Sequence, residues 1–154
     1  MSYISELRKY IGQNPIINVG ATVLVLNNHH EILLNLRTDT NTWGMIGGSM
    51  ELGESLEETA ARELWEEAGL KAERFELLDV FSGKELYFVY PNGDQTYTVA
   101  VLYRAVNAAG KLQIRDGESS RLQFFPLDSL PELESRAKYV TDKIKENPER
   151  YLRF

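Results

Sequence analysis

The sequence predicts an α/β fold: one mixed β-sheet with helices on both faces. Three observations carry this expectation. Apolar, β-branched or alternating segments recur at 19–26, 31–37, 75–81, 85–90, 96–104 and 122–125. Helically spaced apolar residues mark 3–11, 55–68 and 135–145, before, between and after those strands. Short turn signals join most strand neighbours, so hairpins dominate and the sheet is not wholly parallel.

Each element has a local reason. Tyr3, Ile4, Leu7, Tyr10 and Ile11 share a helical face, and Gly12 is a natural stop. Val19 to Leu26 is almost entirely apolar and reads as a buried strand; Asn27-Asn28-His29-His30 is a polar turn rather than a metal pair; Glu31 to Arg37 completes a hairpin with the first strand. Trp43 to Gly48 reads as a glycine-rich approach to the central helix, with Trp43 buried beside it. That helix begins at Ser55, which has capping-box spacing to Glu58, and ends at Gly69. Pro91-Asn92-Gly93-Asp94 turns the chain between two later strands. Leu122 to Phe125 is a short strand, and the last helix runs from Ser135 to Lys145, before Pro148. No repeat or linker interrupts this series, so residues 1–154 are expected to form one domain, with 1–15 as an N-terminal helix and linker. The first helix either packs on the sheet or forms a homodimer contact.

Composition narrows the function. A net charge of -6 without a Lys/Arg run argues against duplex nucleic acid as a partner. It leaves nucleotides open, because a bound cation can invert local charge. The absence of cysteine removes thiol nucleophiles and zinc–thiolate sites. No apolar stretch has the length of a membrane span and no signal-peptide core is present, so a cytoplasmic protein is expected.

The chemistry concentrates in Gly48 to Leu70, GSMELGESLEETAARELWEEAGL. At about 100° per residue, Glu63, Glu66 and Glu67 share an arc of roughly 100° on the helix. Ala60, Ala61, Leu64, Trp65 and Ala68 form the adjoining apolar face. Three clustered carboxylates repel unless a cation joins them, and Mg²⁺ or Mn²⁺ suits oxygen donors of this kind. Gly47-Gly48 lets backbone approach a ligand or metal closely. Glu54 precedes the helix start, where the dipole favours an anion. Arg62 is placed to pair with Glu66 one turn on.

Acidic residues at such spacings are ordinarily a solvated helix face. Here Gly48, Glu54, Arg62-Glu63-Leu64, Glu66-Glu67 and Gly69-Leu70 resemble the Nudix box of the Nudix hydrolase superfamily, MutT-like proteins included, at every specified position. Nine positions agree with one template, a coincidence on the order of 10⁻¹⁰ per register. The box occupies residues 48–70. The resemblance implies an α/β/α sandwich and a divalent-metal-dependent pyrophosphohydrolase. Such an enzyme cleaves a nucleoside diphosphate linked to another moiety into a nucleoside monophosphate and the phosphorylated remainder. It implies Glu63, Glu66 and Glu67 as metal ligands, the Gly47 carbonyl as a further ligand, and Arg62 as the residue that orients them. It leaves the catalytic base open between Glu63 and Glu118, the latter in the late loop RDGESS. The chain departs from many family members in carrying Ile46, not proline, before the glycine pair.

Around the box, Arg37 is a candidate phosphate contact. Phe81, Tyr87, Phe88, Tyr90, Phe124 and Phe125 are mostly core, with one available to stack on a base. Tyr87, 17 residues beyond Leu70, resembles a tyrosine of the family's dinucleoside-polyphosphate hydrolases; ADP-ribose hydrolases instead carry a proline near there, and this chain has none between Leu70 and Pro91. The alternative to an enzyme is a catalytically silent nucleotide or metabolite sensor, which the intact acidic set disfavours. An acidic chain without an RNA-binding appendage gives no support to RNA decapping.

Overall fold

Nine residues, Tyr3–Ile11, form α1, and the chain then enters β1 (Ile16–Leu24), β2 (Ile32–Arg37) and β3 (Trp43–Ser49). Helix α2 (Leu56–Ala68) leads to β4 (Arg74–Phe81), a single 3₁₀ turn at Lys84–Leu86, β5 (Tyr87–Val89), β6 (Gln95–Val106) and β7 (Ser119–Phe125); α3 (Ser135–Glu146) and α4 (Pro148–Leu152) follow. The structure, a computed structural model, describes residues 2–152.

The strands form one sheet in the order β4-β6-β1-β3-β2-β7, with β5 beside the start of β6. β1 and β6 run parallel; the remaining ladders are antiparallel. Strand alternation then sorts the core into two layers. Ala21, Val23, Ile46, Val101 and Tyr103 meet Ala60, Leu64 and Ala68 of α2 on one face. Leu24, Leu34, Ala100 and Leu102 meet Val140, Ile144, Tyr151 and Leu152 of α3 and α4 on the other. The mixed sheet with helices on both faces is the architecture expected. Among the described residues, no helix is long and apolar enough to cross a membrane.

The first hairpin departs from expectation. β1 and β2 pair only at their tip, through the Leu26–Ile32 bridge and the Leu33 N–H to Val25 carbonyl bond of 3.0 Å. Beyond it β3 inserts between them, pairing Gly20 to Val23 on one side and Leu34 to Leu36 on the other. The glycine-rich segment is therefore a central strand rather than a loop. Glycines on both strands permit the close fit: a Cβ on Gly20 of β1 would stand 2.6 Å from the carbonyl oxygen of Gly48 in β3. The segment 85–90 likewise divides into the 3₁₀ turn and a three-residue β5. Pro148 starts α4, a first-turn position where its missing N–H costs nothing.

Helix α1 docks through Arg8. The guanidinium donates to the carbonyls of Gly12 (2.9 Å), Asn14 (2.6 Å) and Gln95 (2.7 Å), and lies 3.6 Å from Asp94. Helix and linker are thereby fastened to the β5–β6 turn, while Tyr10 stays 88 % exposed.

Candidate active site

Helix α2 is punctuated as its residues dictate. Ser55 accepts from the Glu58 N–H while the Glu58 carboxylate accepts from Ser55, and Gly69 closes the helix in the left-handed region at φ 70°. One face of the helix turns inward against the sheet. Glu63 and Glu67 belong to that face, at 8 % and 4 % exposure, beside Ala60, Leu64 and Ala68. Ala61 and Trp65, assigned to the apolar face by helical spacing, turn outward instead. The reason lies in β3: Gly47 and Gly48 have no side chains, so the sheet opposite α2 has room for two carboxylates. A Cβ on Gly48 would fall on the Glu63 carboxylate.

Both buried acids are tied down. Glu67 accepts from the Gly47 N–H at 3.1 Å and from Asn35 Nδ2 at 2.7 Å. Glu63 accepts from Arg62 at 2.8 Å and is hydrogen-bonded to Glu67. Burial pushes Glu63 up to about 7, against the pull of its hydrogen bonds. Burial and then the Glu63 charge push Glu67 upward as well. Without a cation, two such carboxylates share a proton rather than both ionise.

Arg62 is the hub of the charged network. It forms a two-point pair with Glu54 at 2.6 and 3.0 Å, reaches Glu66 at 3.3 Å, and donates to the Ser49 carbonyl at 2.9 Å. Glu54 also accepts from Thr59 Oγ1 at 3.0 Å and the Glu51 N–H at 2.9 Å. The hydrogen bonds from Arg62 lead the causes that hold Glu54 down at about 2. The anticipated Arg62–Glu66 contact is thus present, but Glu54, from the preceding loop, is the stronger partner.

A second segment faces these acids. Asp116 accepts from the Glu118 N–H at 3.0 Å, and the Glu118 carbonyl accepts from both the N–H (3.1 Å) and hydroxyl (2.9 Å) of Thr38. Burial first, then Asp116, raises the Glu118 carboxyl, with Glu66 and Arg37 acting on it in opposite directions. The Asp116 charge also reaches Glu67. Asp116 and Asn35 escaped the sequence reading; an acidic residue two positions before Glu118 was the available signal for the first, whereas Asn35 showed none.

The donor set fits a hard divalent cation: all are carboxylate oxygens, ranged along one helix above a glycine cradle that a side chain would fill. Among the described residues, no three acidic side chains converge on one point as they stand. Arg62 pairs with Glu63 and Glu66, and Glu63 shares its proton with Glu67, so a cation would have to displace both.

Beside Gly47 and Gly48 opens a cavity of about 130 Å³, lined also by Asn18, Arg37, Tyr90, Glu134 and Arg136. Arg37 reaches it while paired with Asp39 at 2.6 Å. Tyr87 does not: it pairs with Tyr97, its hydroxyl binds Gln95 at 2.5 Å, and it lies on the opposite face from Thr98, which lines the cavity. The period of two in a strand sends Phe88, not Tyr87, to the cavity side, where Arg136 stacks on it at 3.9 Å and Tyr90 packs edge-on.

The fold has known counterparts. The MutT NUDIX hydrolase of Burkholderia pseudomallei superposes with a TM-score of 0.69 at 27 % identity, covering 84 % of this chain and 98 % of that one. The NUDIX domain of Shewanella oneidensis NrtR, solved with ADP ribose, gives a TM-score of 0.66 at 22 % identity over 96 % of this chain and 99 % of that one. An ADP-ribose pyrophosphatase of Methanocaldococcus jannaschii is 28 % identical over 132 residues, 83 % of this chain and 72 % of its own. Matches to curated relatives from Bacillus subtilis and Streptomyces ambofaciens span only 36 % and 44 % of those proteins' lengths. The family model of the NUDIX domain matches residues 17–144, from β1 through α3, and the chain accordingly belongs to the NUDIX domain family.

Proposed function

We propose that the chain is a divalent-metal-dependent pyrophosphohydrolase that cleaves a nucleoside diphosphate linked to another moiety. The observation that carries this reading is the buried Glu63–Glu67 pair set over Gly47-Gly48, directly beside the cavity. Relatives named for ADP-ribose pyrophosphatase activity and a NUDIX domain solved with ADP ribose support a nucleotide-type substrate.

In this reading Glu63, Glu66 and Glu67, with Gly47 beside them, hold Mg²⁺ or Mn²⁺, which supplies charge neutralisation and an acidified water. Arg62 keeps Glu63 and Glu66 in place and is itself anchored by Glu54. Glu118 is the base we favour, because its carboxylate makes no hydrogen bond among the described residues, whereas Glu63 is buried under Arg62. Its raised pKa brings it nearer the range useful for proton transfer at neutral pH. Arg37 contributes a positive charge at the cavity wall for a phosphate. The cavity, which borders Gly47 and Gly48, is where part of the nucleotide would bind.

The test is a Mg²⁺-dependent hydrolysis screen over nucleoside triphosphates, nucleotide sugars, ADP-ribose and dinucleoside polyphosphates, with products resolved. One class turned over far faster than the rest, with a folded Glu67→Gln variant inactive, is the expected result. Full activity in that variant would overturn the assignment. Tight nucleotide binding without turnover would identify a sensor.

A further inference from the structure

The outer side of α2 holds an aromatic residue that the proposed chemistry does not use. Trp65, between Leu64 and Glu66, is 37 % exposed. Its ring is covered by the Arg115 guanidinium at 3.9 Å and approached by Lys71 Nζ at 5.0 Å. Arg115 immediately precedes Asp116 and lies three residues before Glu118. Among the described residues it forms no ion pair, although acids follow it in the chain and Glu66 is its backbone partner. Turned onto Trp65, its charge stays out of the acidic cluster, where it would compete with a cation.

The backbone around Arg115 is joined to the same helix. The Arg115 N–H donates to the Glu66 carbonyl and the Gln113 N–H to the Ala68 carbonyl, both at 2.9 Å. Carbonyls at the end of α2 have no partner within the helix, so this loop caps the helix that carries the carboxylates. Thr38 holds the far end at the Glu118 carbonyl, and Gly117 turns between at φ 72°. Residues 116–118 are thus a short turn fixed at both ends, with the Arg115–Trp65 stack as the side-chain lock at the entrance.

We propose that Arg115 and Trp65 are positioning residues: their stack fastens the 116–118 turn to α2 and so presents the Glu118 carboxylate beside Glu66 in one fixed arrangement. This rests on the pyrophosphohydrolase reading for its kinetic consequence, though not for the lock itself. A loop held in place before substrate arrives affects the catalytic step more than substrate affinity.

The experiment compares the full chain with Arg115→Ala, Trp65→Ala and Trp65→Phe by amide hydrogen exchange over 113–118, Mn²⁺ titration followed by electron paramagnetic resonance, and kcat and KM. Arg115→Ala and Trp65→Ala are expected to speed exchange in that segment and to lower kcat about tenfold, with KM within about twofold of the parent. Mn²⁺ affinity falls about threefold in both. Trp65→Phe, which keeps an aromatic face for the guanidinium, is expected to recover most of kcat. The double variant is no worse than either single one, because both remove the same contact. Unchanged exchange in Arg115→Ala overturns the lock. Faster exchange with unchanged kcat in an active enzyme overturns the positioning role. A parent chain that hydrolyses nothing, yet whose loop protection depends on Arg115, overturns the pyrophosphohydrolase reading and leaves the lock standing.

Discussion

Gly48 lies directly beneath the Glu63 carboxylate, where a side chain would strike all three of its terminal atoms. The strand glycine and the helix acid are 15 residues apart in sequence and occupy one volume. Gly48→Ala is therefore expected to displace Glu63 while the sheet survives. The rate falls about 100-fold, as for other angstrom-scale misplacements, and overpacking costs about 1–3 kcal/mol. Steady-state kinetics with denaturant titration checks both; parental kcat in Gly48→Ala would mean that Glu63 is not needed where it stands.

Glu54 acts through Arg62. It takes both Arg62 Nε and Nη2, and without it the guanidinium is free to close over Glu63 and Glu66. Glu54→Ala should lower activity about 10- to 100-fold, the usual cost of removing an orienting partner, with Glu54→Gln intermediate. Equal activity in all three proteins would show that Arg62 needs no anchor.

Asn35 is the side-chain donor to Glu67 and is buried at 5 % exposure. Asn35→Leu leaves a buried acceptor short of one hydrogen bond, at a cost of about 1–3 kcal/mol. The measurement is the free energy of unfolding in urea. A variant as stable as the parent would show that Glu67 finds another donor.

The buried acids also set a pH dependence for the metal-free protein. Burial raises Glu63 to about 7 in the folded chain, and Glu67 moves the same way. Between the unfolded carboxyl value and the raised one, the folded chain binds more protons than the unfolded chain, so stability falls as pH rises. Its contribution is complete below the unfolded pKa, roughly 4.3, and is lost through about 7. Glu54, held at about 2, has the opposite sign, and its contribution is lost only as the solution becomes more acidic than its unfolded value. The Tm in EDTA should therefore decline from about pH 5 to about pH 8, and Glu67→Gln should flatten the decline. A flat parental profile would contradict shared protonation of the pair.

The local features were legible before any coordinates. Ser55, Glu58 and Gly69 mark the ends of α2 because caps are satisfied within a few residues. The apolar face of Ala60, Leu64 and Ala68 follows from helical spacing, but the same spacing puts Ala61 and Trp65 there, and both turn outward. What could not be read was set by strand register. Which side of β5 faces the cavity depends on its pairing with β6, and that decides between Tyr87 and Phe88. β3 separates β1 from β2 because its glycines fit there, a matter of close packing across strands that no single segment displays.

By itself, then, the sequence determined the helix that bears Glu63, Glu66 and Glu67, its two ends, the oxygen-only chemistry of its acids and the mixed character of the sheet. All of these are consequences of interactions within a few residues or of residue type. Tertiary structure alone decided that Glu63 and Glu67 are buried over Gly47-Gly48. It also brought Asn35 to Glu67 from 32 residues away and fastened the Arg115 loop to the end of α2. Burial and long-range pairing are properties of the packed sheet and helix together, and the pKa of each acid follows from that packing rather than from its neighbours in the chain.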